Sequence, residues 1–148
     1  MNVTDIMVSD VRSCSPDTNL ESAALMMWDN DCGSLPIVDD GGNPIGIITD
    51  CDIAMASARN HKSLWDIKTS ELMSDGPLFT CKSDDDIKSA LELMETQKVR
   101  RLPVTDNSGH LEGMLSIDDI VACAEQDAAS DLPFGETMST LKAVCKHH

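Results

Sequence analysis

Two short stretches pair a hydroxyl with a carboxylate three residues on: Thr49 with Asp52, and Ser116 with Asp119. Each follows an apolar run and opens an amphipathic one. Each hydroxyl is therefore expected to end a strand and begin a helix. Free backbone N–H groups at such a junction, together with the hydroxyl, can receive a phosphate. The carboxylate lies about one turn further along the same helix face. From there it can accept hydrogen bonds from both hydroxyls of a ribose, so the set suits a ribose 5′-phosphate. A plainer role competes: Thr49 and Ser116 as helix N-caps, with the aspartates complementing the helix dipole. For a single copy, the plainer role is the better reading.

Arg100 and Arg101, with Lys98, form the densest basic cluster ahead of the C-terminal tail. Guanidinium groups there could neutralise a di- or triphosphate by forked hydrogen bonds. Their alternative is surface pairing with the abundant carboxylates, which contributes little. Six cysteines are present, none in a C-x-x-C pair, and the four histidines do not complete a zinc-finger spacing with them. No metal site is expected. Without an export signal, reduced and mostly packed thiols are expected. Nothing in the sequence pairs a nucleophile with a base, and there is no glycine-rich phosphate loop, so no catalytic residue is assigned.

Around these residues lies a chain of 148 residues with 26 acidic and 11 basic side chains, a formal charge of -15. Such a charge argues against nucleic acid and against an anionic membrane surface as partners. No apolar stretch reaches the roughly 18 residues of a membrane span. The opening Met1-Asn2-Val3-Thr4-Asp5 lacks a signal-peptide pattern, so a cytoplasmic location is expected.

The chain is duplicated at an offset of 67 residues. Leu35, Pro36, Asp39, Gly42, Gly46, Asp52 and Ile53 meet Leu102, Pro103, Asp106, Gly109, Gly113, Asp119 and Ile120. Upstream, Cys14, Asp17, Ser22, Ala23 and Met27 meet Cys81, Asp84, Ser89, Ala90 and Met94. With a one-residue shift, Ile6-Met7 meets Leu72-Met73. The expected organisation is two repeats, 1–67 and 68–127, and a tail, 128–148.

Each repeat reads as β-α-β-β-α. Residues 11–15 and 78–82 are short strand candidates. A helix follows, with Asp17 or Thr18 as N-cap in the first repeat and a Ser83–Asp86 capping box in the second. Leu20, Ala23, Ala24 and Met27, and then Ile87, Ala90, Leu91 and Met94, mark its apolar face. Leu35–Val38 with Ile45–Ile48, and Leu102–Val104 with Met114-Leu115, form hairpins around Gly-containing turns. The tail is expected to carry one amphipathic helix, Glu136–Lys146.

This order of motifs resembles the cystathionine-β-synthase (CBS) domain family, two copies of which form a CBS pair, or Bateman module. The signs are the paired h-L-P-h-h-D strands (h, apolar), the G-h-h-[ST]-x-x-D segments, and the openings Asp5-Ile6-Met7 and Glu71-Leu72-Met73. The resemblance covers about residues 3–127. It implies an α/β (α+β) fold of two tandem units packed with pseudo-twofold symmetry. It also implies a regulatory, non-catalytic module sensing adenosine-containing ligands: AMP, ADP, ATP, NAD or S-adenosylmethionine. Repulsion from the acidic first repeat disfavours a polyphosphate unless Mg²⁺ accompanies it. Within that frame, the recurrence of [ST]-x-x-D in phase favours the ligand role.

By the same resemblance, Asp52 and Asp119 hold ribose in clefts between the units, with Thr49, Ser116, Arg100 and Arg101 at phosphate. The base lies near Cys14 and Cys81 and the Leu35-Pro36 and Leu102-Pro103 strands. For the two cysteines, plain strand packing is an equal expectation. Gly33-Ser34 stands where the second repeat has Arg100-Arg101, so the two clefts are expected to be unequal. A homodimer and a separate, unidentified effector protein are the partners implied. The alternative is a protein-interaction or dimerisation module with vestigial clefts.

Overall fold

The computed structural model describes residues 1–125 and 130–145. It is an α+β fold with two β-sheets. The predicted end of the second repeat at 127, and Lys146, lie outside the described residues. Among the described residues, no helix is long and apolar enough to cross a membrane.

The chain divides into two compact bodies. One comprises Val11–Leu78 with Gly109–Leu111; the other comprises Met1–Asp10, Phe79–Ser108 and Glu112–His148. The first body holds α1 (Leu20–Asp29), the hairpin β1 (Ser34–Val38) and β2 (Pro44–Thr49), and α2 (Asp50–Asn60). The strands pair antiparallel, Leu35 opposite Ile48, with a bulge at Ile37/Val38. The core is Leu20, Ala23, Met27, Leu35, Ile37, Ile48 and Ile53. The apolar face predicted for α1 is therefore the buried one, apart from the half-covered Ala24.

The second body repeats the plan with β3 (Cys81–Lys82), α3 (Ile87–Gln97), β4 (Arg101–Thr105), β5 (Leu111–Ser116, of which Leu111 falls in the first body) and α4 (Ile117–Cys123). It adds α5 (Phe134–Cys145), which packs on α3 and α4. The sheet order is β3-β4-β5. Ile87, Ala90, Leu91, Met94, Leu102, Val104, Leu115, Ile117 and Ile120 share one core with Leu132 and Val144 of the tail.

Three local expectations change. Residues 11–15 form no strand of their own; a single parallel bridge joins Cys14 to Ile37. The in-phase Cys81 opens a strand of only two residues, facing Val104. The N-cap of α1 is Asn19, whose side chain accepts the Ser22 amide at 2.8 Å. Thr18 instead accepts the Ser15 amide, one turn earlier. Finally, Asp86 is itself the N-cap of α3, accepting from the Lys88 amide, so no Ser83–Asp86 box forms. Asn and Asp are the stronger caps, and each sits directly before the first buried helical residue.

The bodies also cut the chain elsewhere than the repeat does, because the opening segments are exchanged. Val3 is fully buried in the second body's core, with Ile6 and Met7 packed against it. Its amide donates to the Asp85 carbonyl at 2.9 Å, and that of Thr4 to Ser83 at 3.0 Å. Reciprocally, Leu72 and Met73 pack on the first body's core. The Thr69 and Ser70 amides donate to the Thr18 and Pro16 carbonyls. Each repeat's opening segment thus completes the other repeat's core.

Candidate functional site

Thr49 and Ser116 do end strands and cap helices. The Asp52 amide donates to Thr49 Oγ1 at 3.1 Å, and the Thr49 amide donates back to Asp52 Oδ2 at 2.9 Å. The Asp119 amide donates to Ser116 Oγ at 3.2 Å, and the Ser116 amide to Asp119 Oδ2 at 3.1 Å. These are reciprocal capping boxes with aspartate in the acidic position. The Ser116 hydroxyl also donates to Asp119 Oδ2. The plainer role is thus filled in both repeats, each aspartate using its Oδ2 oxygen.

A further in-phase bond holds the preceding loop against each helix start. The Asp50 amide donates to the Gly33 carbonyl at 3.1 Å, and the Ile117 amide to the Arg100 carbonyl at 2.9 Å. Arg100 and the Ser116–Asp119 turn are therefore brought together by backbone geometry. Among the described residues, neither Arg100 nor Arg101 makes an ion pair. Arg100 is exposed and Arg101 half-buried.

The two helix starts differ in charge. At α2, Asp50 faces Gly33: a Cβ on Gly33 would lie 3.4 Å from its carboxylate. The same carboxylate accepts the Cys51 amide at 2.8 Å. The first N–H groups of α2 are thus satisfied internally and overlaid with negative charge, which opposes an anion. At α4 the corresponding residue is the apolar Ile117, beside a cation rather than a glycine. Asp50 was overlooked in the sequence; its in-phase opposition to Ile117 was the signal available.

The six residues placed at the base are all buried. Cys14 donates its amide to the Pro36 carbonyl at 3.0 Å and accepts from the Val38 amide at 2.8 Å. Burial pushes the Cys14 thiol up to about 11. Burial, with Asp85 adding to it, pushes Cys81 up to about 12. Both sit in the buried cores of their bodies, as packing thiols do. Leu35 and Leu102 are core residues of their bodies. Thr49 and Asp52 meet in the first body, and Ser116, Asp119 and Arg100 in the second.

A family model for the CBS domain matches residues 3–59 and again 69–125. The chain belongs to the CBS domain family. It is 31% identical over 121 residues to an uncharacterized protein of Methanopyrus kandleri, covering 82% of this chain and 61% of that one. It is 30% identical to the inosine-5′-monophosphate dehydrogenase of Mycobacterium bovis over 84% of this chain, but only 22% of the enzyme. The chain thus spans under two thirds of the first relative and under a quarter of the second. Among solved structures, the CBS domain pair of protein MJ0100, in complex with 5′-methylthioadenosine and S-adenosyl-L-methionine, superposes with a TM-score of 0.71 at 27% identity. That match covers 82% of this chain and 94% of the other. CBSX2 in complex with AMP gives 0.67 at 25% identity, over 82% and 93%.

Proposed function

We propose that this CBS protein is a regulatory module that binds an adenosine-containing small molecule and acts on a separate protein, with the working site in the second repeat. The observation that carries the reading is the meeting of Arg100 with the Ser116–Asp119 turn, neither arginine being ion-paired among the described residues. MJ0100 and CBSX2, which share the fold, hold adenosine compounds and support the ligand class.

In this reading, Asp119 accepts from the ribose hydroxyls through Oδ1, while Oδ2 keeps the cap. The Ser116 hydroxyl turns its proton from Asp119 to a phosphate oxygen and keeps accepting the Asp119 amide. Arg100 and Arg101 supply forked donors to the same phosphate. Backbone groups around Cys81 and Leu102-Pro103 read the base, the side chains being committed to the core. Thr49 and Asp52 offer the same hydroxyl and carboxylate, and Cys14 and Leu35-Pro36 the same strands. Asp50 makes that second position poor for phosphate, so it suits an uncharged adenosine group.

The test is calorimetric titration of the protein with AMP, ADP, ATP with and without Mg²⁺, NAD and S-adenosylmethionine, beside Asp52→Asn, Asp119→Asn and Arg100→Ala/Arg101→Ala. Binding abolished by Asp119→Asn, and weakened for phosphorylated ligands by the arginine pair, is expected. Heat with none of these ligands would overturn the adenosine reading. Loss in Asp52→Asn alone would move the site to the first repeat.

A further inference from the structure

The chain contains two Asp-Gly links, Asp40-Gly41 and Asp75-Gly76. Such a link can close on itself. The glycine amide nitrogen attacks the aspartate Cγ and an N–Cγ bond forms. The hydroxyl of the protonated carboxyl leaves with the amide proton as water. The product is a cyclic imide, a succinimide. Water then reopens it at either carbonyl. Opening at Cγ restores aspartate; opening at the main-chain carbonyl leaves the chain running through Cγ, as isoaspartate. One water leaves and one returns, so the net change is an isomerisation that needs no oxidant, reductant or enzyme. Glycine favours closure because it sets no side chain beside the attacking nitrogen. An amide already committed to an acceptor opposes it, since that bond must open first.

The fold treats the two links differently. In the first hairpin turn, the Gly41 amide donates to Asp39 Oδ1 at 3.0 Å. The Asn43 amide donates to the same oxygen at 2.9 Å, and the Gly42 amide to the Asp39 carbonyl at 3.0 Å. The nitrogen that would attack Asp40 is thus tied inside a closed turn. The second link is open. Ser74, Asp75, Gly76 and Pro77 are all exposed and belong to no helix or strand. Among the described residues, the Gly76 amide donates to no acceptor. No atom lies within 4 Å of where a Cβ on Gly76 would stand.

Asparagines close by the same route with loss of ammonia, and all six are covered. The amides that follow Asn2 and Asn19 donate to the Asp85 and Ile67 carbonyls, each at 2.9 Å. Those after Asn30 and Asn60 donate to the Trp28 and Ser57 carbonyls, at 3.3 Å and 3.2 Å. That after Asn107 donates to Asp106 Oδ1 at 2.8 Å. Asn43 is followed by Pro44, which has no amide proton. We infer that Asp75-Gly76 is a self-modification site, the link at which this chain turns to isoaspartate while it stays folded. The link lies between Met73, packed on the first body's core, and Phe79, packed on the second's. Isomerisation adds one carbon to that connection and makes the former main-chain carbonyl the free carboxylate. Neither core includes the altered residues, so the cores survive the change.

The test is prolonged incubation of the full chain, without nucleotide, at neutral to mildly alkaline pH, in buffer and in parallel in urea. No residue of the candidate site takes part, so the result is independent of the adenosine reading. Isoaspartate is located by mass spectrometry of tryptic peptides and by methyl transfer to those peptides from an isoaspartyl methyltransferase. In the folded chain it should accumulate at residue 75, with residue 40 slower by roughly tenfold or more, as for an amide that must first open. In urea the two should react at similar rates. Gly76→Ala should suppress the reaction at residue 75 and leave the melting curve unchanged. Asp39→Ala, shown folded by its melting curve, should bring residue 40 into reaction. Equal rates at the two links in the folded chain, no isoaspartate at residue 75, or its first appearance at an asparagine would overturn the inference. So would a difference that persists in urea, or residue 40 still spared in Asp39→Ala, since the fold would then not be what selects the site.

Discussion

Gly113 lies under the backbone of Val8, so closely that a Cβ on it would stand 2.6 Å from the Val8 carbonyl oxygen and 3.1 Å from Met7 Sδ. The neighbouring Val8 and Met114 exchange both backbone hydrogen bonds, at 2.9 Å each, so this carbonyl cannot swing aside. For the in-phase Gly46 the three nearest atoms to such a Cβ are side-chain atoms of Ile37 and Met73, at 3.4–3.5 Å. The same glycine in the two repeats therefore has two different reasons to be there. Gly113→Ala is expected to lose about 1–3 kcal/mol through overpacking. Gly46→Ala should be nearly neutral, because flexible side-chain ends give way. Urea unfolding of the two variants makes the comparison. Equal losses would contradict it.

The hydroxyl caps should contribute in each body separately. Thr49→Ala and Ser116→Ala are each expected to cost about 1 kcal/mol, the usual loss of a Ser/Thr cap. Thr49→Ser should cost less, because it keeps the acceptor for the Asp52 amide. Amide exchange would show Thr49→Ala loosening the first turn of α2 and Ser116→Ala that of α4.

Buried thiols make the protein sensitive to alkali. The Cys14 and Cys81 thiols titrate higher in the folded chain than in the unfolded one. The folded state therefore holds more protons above the ordinary thiol pKa, and stability falls as pH rises from there toward about 11 to 12. Cys14→Ala and Cys81→Ala should flatten that alkaline decline in thermal melts. Iodoacetamide at mildly alkaline pH should label Cys32, Cys51, Cys123 and Cys145, which are exposed, and spare Cys14 and Cys81. Mass spectrometry of peptides reads this directly.

On the acid side the marker is Asp39. Its Oδ1 accepts the amides of Asn43 at 2.9 Å and Gly41 at 3.0 Å, closing the first hairpin turn. The Asn43 amide bond in particular holds the carboxyl below its ordinary range. A carboxyl depressed in the folded state stabilises above its unfolded pKa, and that contribution disappears as pH falls through the folded value. Asp39→Ala is expected to be less stable than the parent at neutral pH. The gap should close at strongly acidic pH.

Much of the fold was legible because it rests on local rules repeated twice. The hairpins followed from alternating apolar runs around Gly42 and Gly109, which adopt φ of +82° and +89°. The apolar faces of α1 and α3 followed from their 3.6 period. The α1 cap was misplaced by one or two residues because Asp17, Thr18 and Asn19 can all cap, and packing of Leu20 chose among them. The exchange of opening segments could not be read, since a segment that packs within its own repeat looks the same in sequence as one that packs on the other. In the candidate site, Thr49 and Ser116 end strands and open helices as expected, each with its aspartate in the first turn. Their mutual capping bonds were a competing role rather than a visible outcome. That the two sites differ was legible from Gly33-Ser34 against Arg100-Arg101 and from Asp50 against Ile117 in phase; that Asp50 faces Gly33 across a turn was not, because periodicity does not reveal which side chains meet.

The burial of Val3 among residues from the far half of the chain sets an order on assembly at the ribosome. Residues 1–10 are translated before the segment 11–78 but are placed after it. The segment 11–78 can close its core once Leu72 and Met73 have emerged. Residues 1–10 must stay unplaced until α3, β4 and β5 have been made. During synthesis residues 1–10 thus wait for their seat with Val3, Ile6 and Met7 uncovered, and delay in the second half lengthens that wait.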